Sequence, residues 1–288
     1  MKITSLFVAG AAMLIFNSCS SDNDSTTEVL EPPTSFNHFT VTSTATAPDG
    51  SPTANSYTYT ENLMDQKRYS VTQDGTTTQR YFYVNGLLSQ SLLGFSFGYD
   101  ASGKIDEIVR LIGEADEVPL ELKYRFVHPQ QNVMYCERMV WATEPPEILY
   151  RNILEFDADG NVIKAGPDLD LDGIMDHYNQ LTYANGDLTN VQVWNGTSAQ
   201  FSYSDVKDNF CLLDDNTYGK KVRRAMCSEY YAGANFETNL GHSAHVLADE
   251  TPAPDYVLLS NGFYQKKTTL TIFDDNSQNE TVVEFFLD

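Results

Sequence analysis

Phe95-Ser96-Phe97-Gly98-Tyr99-Asp100-Ala101-Ser102-Gly103-Lys104-Ile105 carries the pattern that decides the fold. Up to Tyr99 the residues alternate aromatic and small, a period of two that sends successive side chains to opposite faces of a strand. Ser102-Gly103 then supplies a residue that accepts positive φ, and Ile105 opens a new apolar stretch. The alternation returns at Tyr57-Thr58-Tyr59-Thr60 and at Phe201-Ser202-Tyr203. Val133, Tyr135, Met139 and Trp141 share one face of 133–141, with Glu137 the exception. Asp74-Gly75, Asn85-Gly86, Asp159-Gly160, Asn185-Gly186 and Asn261-Gly262 punctuate the chain as hairpin turns do. Beyond the N-terminal segment only residues 220–236 suggest a short helix. The pattern predicts an all-β protein, an antiparallel meander of many short hairpins with about 14–18 strands. These form one extended twisted or curved sheet, or two packed sheets.

The chain has 288 residues, 18 basic against 40 acidic, for a formal charge of −22. Such an excess repels nucleic acid and the anionic surface of a bilayer. Two Trp, 17 Tyr and 16 Phe set it apart from acidic disordered chains, which lack aromatics. Its length suffices for a sizeable core without disulfide staples, and four cysteines are too few for a disulfide scaffold.

The N-terminus is read separately. Lys2 precedes an apolar run from Leu6 to Phe16, too short to cross a bilayer and of the length of a signal-peptide core. Phe16-Asn17-Ser18-Cys19 follows it and resembles a bacterial lipobox. The resemblance implies that residues 1–18 are a lipoprotein signal peptide and that Cys19 becomes the lipidated N-terminus, a membrane anchor. An ordinary secretory signal with an incidental Cys is the alternative. Ser20 resembles an outer-membrane destination signal, and Asp22 and Asp24 resemble the surface-export signal of lipoproteins in Bacteroidota. Residues 19–35, rich in Ser, Thr, Asp, Glu and Pro, read as a flexible tether, leaving 36–288 as the β-rich domain.

A degenerate repeat runs through that domain. Tyr83-Val84-Asn85-Gly86-Leu87, Tyr99 to Ile105, Phe156-Asp157-Ala158-Asp159-Gly160-Asn161-Val162 and Tyr183-Ala184-Asn185-Gly186-Asp187-Leu188 each join an aromatic strand end to a turn and a new strand. They resemble the YD (RHS-like) repeat, and the chain is similar to Bacteroidota surface lipoproteins of unknown function built from such hairpins. With no convincing catalytic motif in the chain, the expectation is a non-catalytic lipoprotein at the outer-membrane surface, a binding module for glycan, protein or matrix partners. The alternatives are a tethered hydrolase acting on extracellular glycan and a periplasm-facing envelope lipoprotein.

The sharpest chemical motif is Asp168-Leu169-Asp170-Leu171-Asp172-Gly173-Ile174-Met175-Asp176. Carboxylates at positions 1, 3, 5 and 9 and Gly at 6 match an acidic calcium loop, with the Ile174 carbonyl completing the oxygen set. Asn179 stands at position 12 in place of a bidentate Glu, so the loop is closer to Asp-rich extracellular loops than to an EF-hand. A solvated acidic turn without metal is the other reading. Gly94-Phe95-Ser96-Phe97-Gly98 matches the nucleophile-elbow pattern by letter, but the alternation runs straight through Ser96 where the chemistry needs a strand, an elbow and a helix. His242 and His245, with Asp249 and Glu250 nearby, lack a third zinc ligand at convincing spacing. Trp141, Trp194 and several Tyr form either core or a sugar-stacking face. Cys211 and Cys227 either pair in an oxidising compartment or are, like Cys136, buried thiols.

Overall fold

The structure is a computed structural model and describes residues 35–91, 94–115, 118–140, 146–233, 243–248 and 253–287. All of them belong to one unit, Glu31–Asp288. The anchor residue Cys19, the tether up to residue 34, and Trp141, His242, Asp249 and Glu250 lie outside the described residues.

The hairpins begin with β1 (Phe36–Thr46), β2 (Tyr57–Met64), β3 (Lys67–Gln73) and β4 (Thr76–Gln79). After Arg80 come β5 (Tyr81–Val84), β6 (Leu87–Ser91), β7 (Phe95–Tyr99), β8 (Ile105–Ala115) and β9 (Val118–Gln130). Then follow β10 (Val133–Val140), β11 (Glu147–Phe156), β12 (Val162–Asp168), β13 (Asn179–Ala184), β14 (Asp187–Gln192) and β15 (Ser198–Gln200). A ribbon of β16 (Tyr203–Lys207) and β17 (His245–Leu247) brackets α1 (Asn209–Tyr218), α2 (Lys220–Met226) and α3 (Ser228–Ala232). The chain ends with β18 (Asp255–Leu258), β19 (Tyr264–Ile272) and β20 (Gln278–Leu287). From β5 to β15 each strand pairs with the next, so this 11-stranded antiparallel sheet is an uninterrupted meander. The second sheet has seven strands in the order β18-β19-β20-β1-β2-β3-β4, so the last strand returns to pair with the first. The all-β hairpin architecture expected from the alternation is therefore the one found, as two open sheets and a ribbon, with 20 strands among the described residues where 14–18 were expected.

Two kinds of turn build it. At Asp74-Gly75, Asn85-Gly86 and Asn185-Gly186 both central residues have positive φ, the two-residue hairpin geometry that matches strand twist. A longer turn recurs at 47–51, 100–104, 157–161, 193–197, 259–263 and 273–277. In each, the first residue donates its N–H to the carbonyl of the fifth and accepts from the N–H of the fourth, and the fourth has positive φ. Asp100 and Asp157, the Asp of the repeat unit, accept backbone N–H groups of the second and fourth residues after them through Oδ1, at 2.8–3.0 Å. Of the four quoted units, the two with Asp after the aromatic thus form a side-chain-capped turn and the two with Asn-Gly form the two-residue hairpin turn.

Two of the three helices, α2 and α3, fall within the 220–236 stretch that suggests a short helix, and α1 lies before it. Asp208 caps α1 by accepting the Phe210 N–H at 2.9 Å. Leu213 of α1 joins Phe36, Phe39, Val41, Tyr264, Val283 and Phe285 in the core of the seven-stranded sheet. Val222, Ala225 and Tyr231 of the later turns pack on the larger sheet against residues such as Met134, Leu154 and Ala165. Removing one of these rings, Phe39 or Phe285, costs about 3–5 kcal/mol on the usual scale for a core Phe.

The expected apolar face of 133–141 is corrected. Met134 and Cys136 are buried in the core, whereas Tyr135 and Glu137 lie on the opposite face. Met139 stays on the Tyr135 side, as the spacing groups it: β10 keeps its register with β9 from Tyr135 to Met139, and the extra residue between the Arg138 and Met139 pairs is Leu149 of β11. The core face of the strand is therefore the one that carries Met134 and Cys136, while Glu137 and Met139 are buried on the other.

Candidate functional site

The acidic loop leaves β12 at Asp168 and returns along the same strand. The Asp176 N–H donates to the Pro167 carbonyl at 3.0 Å, and the following residues pass directly over Gly166. A Cβ at Gly166 would stand 1.9 Å from the His177 carbonyl oxygen. Glycine within a strand often marks such a backbone approach.

Inside the loop, Asp168 Oδ2 accepts the Gly173 N–H at 3.0 Å, and Asp176 Oδ2 accepts the Leu169 N–H at 2.7 Å. Leu171 is held at φ 62 near the tip. One carboxylate oxygen from each of Asp168, Asp170 and Asp176 lies within 4.8 Å of the others. Two oxygens bound to one calcium at 2.3–2.6 Å can be no more than about 5 Å apart, so the three fit one ion. Asp168 is fully buried, and its Oδ1 has no hydrogen-bond partner. A buried carboxylate oxygen without a partner is costly, and a hard cation would satisfy it. Asp172 stands outside the group and accepts the Ile174 N–H at 2.8 Å.

Residues from distant strands support the loop. Arg125, Glu137, Arg151 and Asp168 lie directly opposite one another across β9 to β12. Arg151 donates to Glu137 Oε1 at 2.7 Å and to Asp168 Oδ2 at 2.8 Å, and Arg125 Nε donates to Glu137 Oε2 at 2.6 Å. Burial opposes the Arg151 cation, but its bonds to Asp168 and Glu137 outweigh that and hold its pKa above the ordinary value. Arg151 also reaches the Leu171 carbonyl at 3.2 Å, and the Tyr135 hydroxyl donates to the Gly173 carbonyl at 3.3 Å. These partners escape a reading by spacing, because strand register alone brings them together.

The returning arm forms one wall of a cleft of about 430 Å³, lined by Asp176, His177, Tyr178, Gln180, Gln192 and Trp194 among others. Trp194 and Tyr178 are 49% and 45% exposed, and the His177 and Trp194 rings lie 4.5 Å apart. Lys164 Nζ sits 4.0 Å from the Tyr178 ring centroid. Gln180 and Gln192 face each other across β13 and β14. Asn179 pins the cleft from beneath, donating to the Tyr231 and Gly233 carbonyls at 2.8 Å and accepting the Trp194 N–H at 3.1 Å. Trp194 therefore lies on the surface, not in the core.

The other candidates have structural positions. Ser96 sits mid-strand in β7, paired with Gln90 and Val109, without an elbow or a following helix. His245 Nδ1 meets Asp187 Oδ2 at 2.8 Å and ties β17 to the β13–β14 hairpin. The buried carboxylates Glu61, Glu137, Asp168 and Asp187 each meet a basic side chain. The structure does not join Cys211 to Cys227: both are free thiols, as is Cys136. Compared with protein-family models and with curated proteins, the sequence matches none.

Proposed function

We propose that this chain is a non-catalytic binding module, tethered to the outer-membrane surface through lipidated Cys19 and residues 20–35, and that it presents the cleft beside a calcium-holding loop to a glycan. One observation carries this reading: Asp176 belongs both to the carboxylate group and to the cleft wall. A cation drawn in by the carboxylates would fix the arm bearing His177 and Tyr178. A sugar ring offers a C–H face to an exposed aromatic and hydroxyls to amides, and Trp194, Tyr178, Gln180 and Gln192 supply both.

A glycan array probed with the protein in calcium and in chelator tests this. The expected result is a saccharide bound in calcium, released by chelator and weakened at least tenfold, about 1.4 kcal/mol, by Trp194→Ala. Binding that Trp194→Ala leaves intact places the ligand elsewhere, and capture of a protein partner with no saccharide bound overturns the glycan. For the anchor, Cys19→Ala should abolish incorporation of labelled palmitate, and external protease should digest the domain on intact cells.

A further inference from the structure

We infer that a second pocket, where the α1–α2 corner meets the β7–β8 and β9–β10 turns, binds a small amphipathic anion: an apolar body carrying one carboxylate. The pocket holds about 400 Å³, toward the lower end for small-molecule sites, and shares no lining residue with the cleft at Trp194. Leu87, Ile105, Met134, Phe156 and Val222 give it an apolar lining. Lys104, Lys220 and Lys221 stand at its rim, and no Asp or Glu lines it. With 40 acidic residues against 18 basic, a hollow whose lining carries three lysines and no carboxylate runs against the charge of the whole chain.

The details favour a guest with both characters. Lys221 Nζ lies 5.2 Å from the Phe156 ring centroid and 3.4 Å from the Gln131 carbonyl, which holds a cation above apolar surface. Asp100, the acidic neighbour on the Lys104 turn, spends Oδ1 on the Ser102 and Lys104 N–H groups. Tyr99 lines the wall, and its hydroxyl is buried without a hydrogen-bond partner. A purely apolar guest would leave the lysines unused. An inorganic anion would leave the apolar lining wet.

Isothermal titration of the unlipidated protein beginning at Cys19 tests the assignment with decanoate, below its micelle concentration, and with decanol and decyltrimethylammonium. Decanoate should bind at one saturable site that weakens with salt, at least tenfold more tightly than decanol, with no uptake of the cation. Replacing Lys104, Lys220 and Lys221 together with Gln should weaken decanoate at least tenfold and leave decanol unchanged. Leu87→Trp, on the exposed side of the pocket, should block both while the melting temperature holds. Should the triple variant fail to fold, the Leu87→Trp result and the salt dependence decide. No saturable decanoate binding, decanol binding as tight as decanoate, or binding indifferent to Leu87→Trp each overturns the inference.

Discussion

Gly166→Ala is the most direct probe of how the acidic loop is held. The added methyl would meet the His177 carbonyl oxygen at 1.9 Å, with the His177 carbonyl carbon at 3.0 Å and Tyr178 Cα at 3.1 Å. All three are backbone atoms, so no rotamer change relieves the contact. The arm must retreat by more than an ångström to reach ordinary van der Waals distance. That retreat strains the bond from the Asp176 N–H to the Pro167 carbonyl and the Asn179 contacts with the α3 end. Overpacking costs about 1–3 kcal/mol and each backbone bond about 0.5–1.5 kcal/mol, for a total of about 2–4 kcal/mol. In a domain of this size each kcal/mol is worth about 2–4 °C, so melting should fall by about 4–16 °C. Gly98→Ala is the comparison, since its added carbon meets a side-chain atom, Glu107 Cγ at 2.7 Å, which a rotamer change can move at the expense of the Lys123 ion pair, so it should cost less than Gly166→Ala. Thermal unfolding by circular dichroism reads both. If Gly166→Ala melts within about 2 °C of the wild type, the arm is not pinned against β12 and the close approach has no energetic meaning.

The remaining predictions are independent of that one. Millimolar calcium should raise the melting temperature over chelator, by the equivalent of about 2.7 kcal/mol where calcium is at about 100 times its dissociation constant, and Asp170→Asn should remove the rise; identical melting curves would end the metal reading. Arg151→Met strands Glu137 and Asp168 without their shared cation and should cost about 3–5 kcal/mol in urea unfolding, whereas a change under about 1 kcal/mol would mean the ionic row contributes little. Burial raises the Asp208 carboxyl above its ordinary 3.8, so the folded state holds that proton more tightly and stability is lost as pH rises from 3.8 through the folded value. Asp208→Asn keeps a good helix cap and removes the ionisation; it should stabilise the protein at pH 7 and the gain should vanish below 3.8, and a gain that persists in acid refutes the assignment. Burial also raises the three described thiols, Cys211 up to about 12, so iodoacetamide at pH 8 should label them slowly until the protein is denatured; fast native labelling, or a Cys211–Cys227 disulfide in mass spectra, would contradict the structure.

What the sequence reveals and what it hides separate along physical lines. The meander is legible because alternation and turn chemistry are local: three Asp-Gly or Asn-Gly pairs adopt the two-residue turn, and Asp100 and Asp157 cap the longer one. The helix α1 is hidden because Asn209, Asp214, Asp215, Asn216 and Thr217 are weak helix formers. Tertiary bonds hold it instead: Arg68 donates to Asp214 at 2.8 Å, and the Arg68 N–H donates to Thr217 at 3.0 Å. In β10 the pattern misleads, since the apolar residues counted by twos from Val133 to Met139 lie opposite the core face, which carries Met134 and Cys136, and share their side with the ion-paired Glu137. In the acidic loop, spacing finds Asp168, Asp170 and Asp176, but Arg151 is invisible to it because it lies on another strand.

That hidden partner bears on how strongly the loop can hold a cation. Glu107, Arg125, Glu137, Arg151 and Asp168 lie in register across five strands, with charges alternating along the row. Asp168 ends the row and begins the loop. Its Oδ2 already accepts from Arg151 and from the Gly173 N–H, while Oδ1 faces no partner. A cation arriving there meets a carboxylate whose charge is partly balanced, in a loop that folds around its own hydrogen bonds. Full neutralisation by Arg151 is prevented because the same guanidinium also serves Glu137. Asp170 and Asp176 have no basic group in that row. The loop should therefore bind calcium weakly, in the millimolar range of extracellular modules, and stiffen on binding without depending on the ion to fold. On this reading Arg151→Met should have two opposite effects: lower stability of the calcium-free protein and, with the competing charge gone, a larger rise in melting temperature on adding calcium.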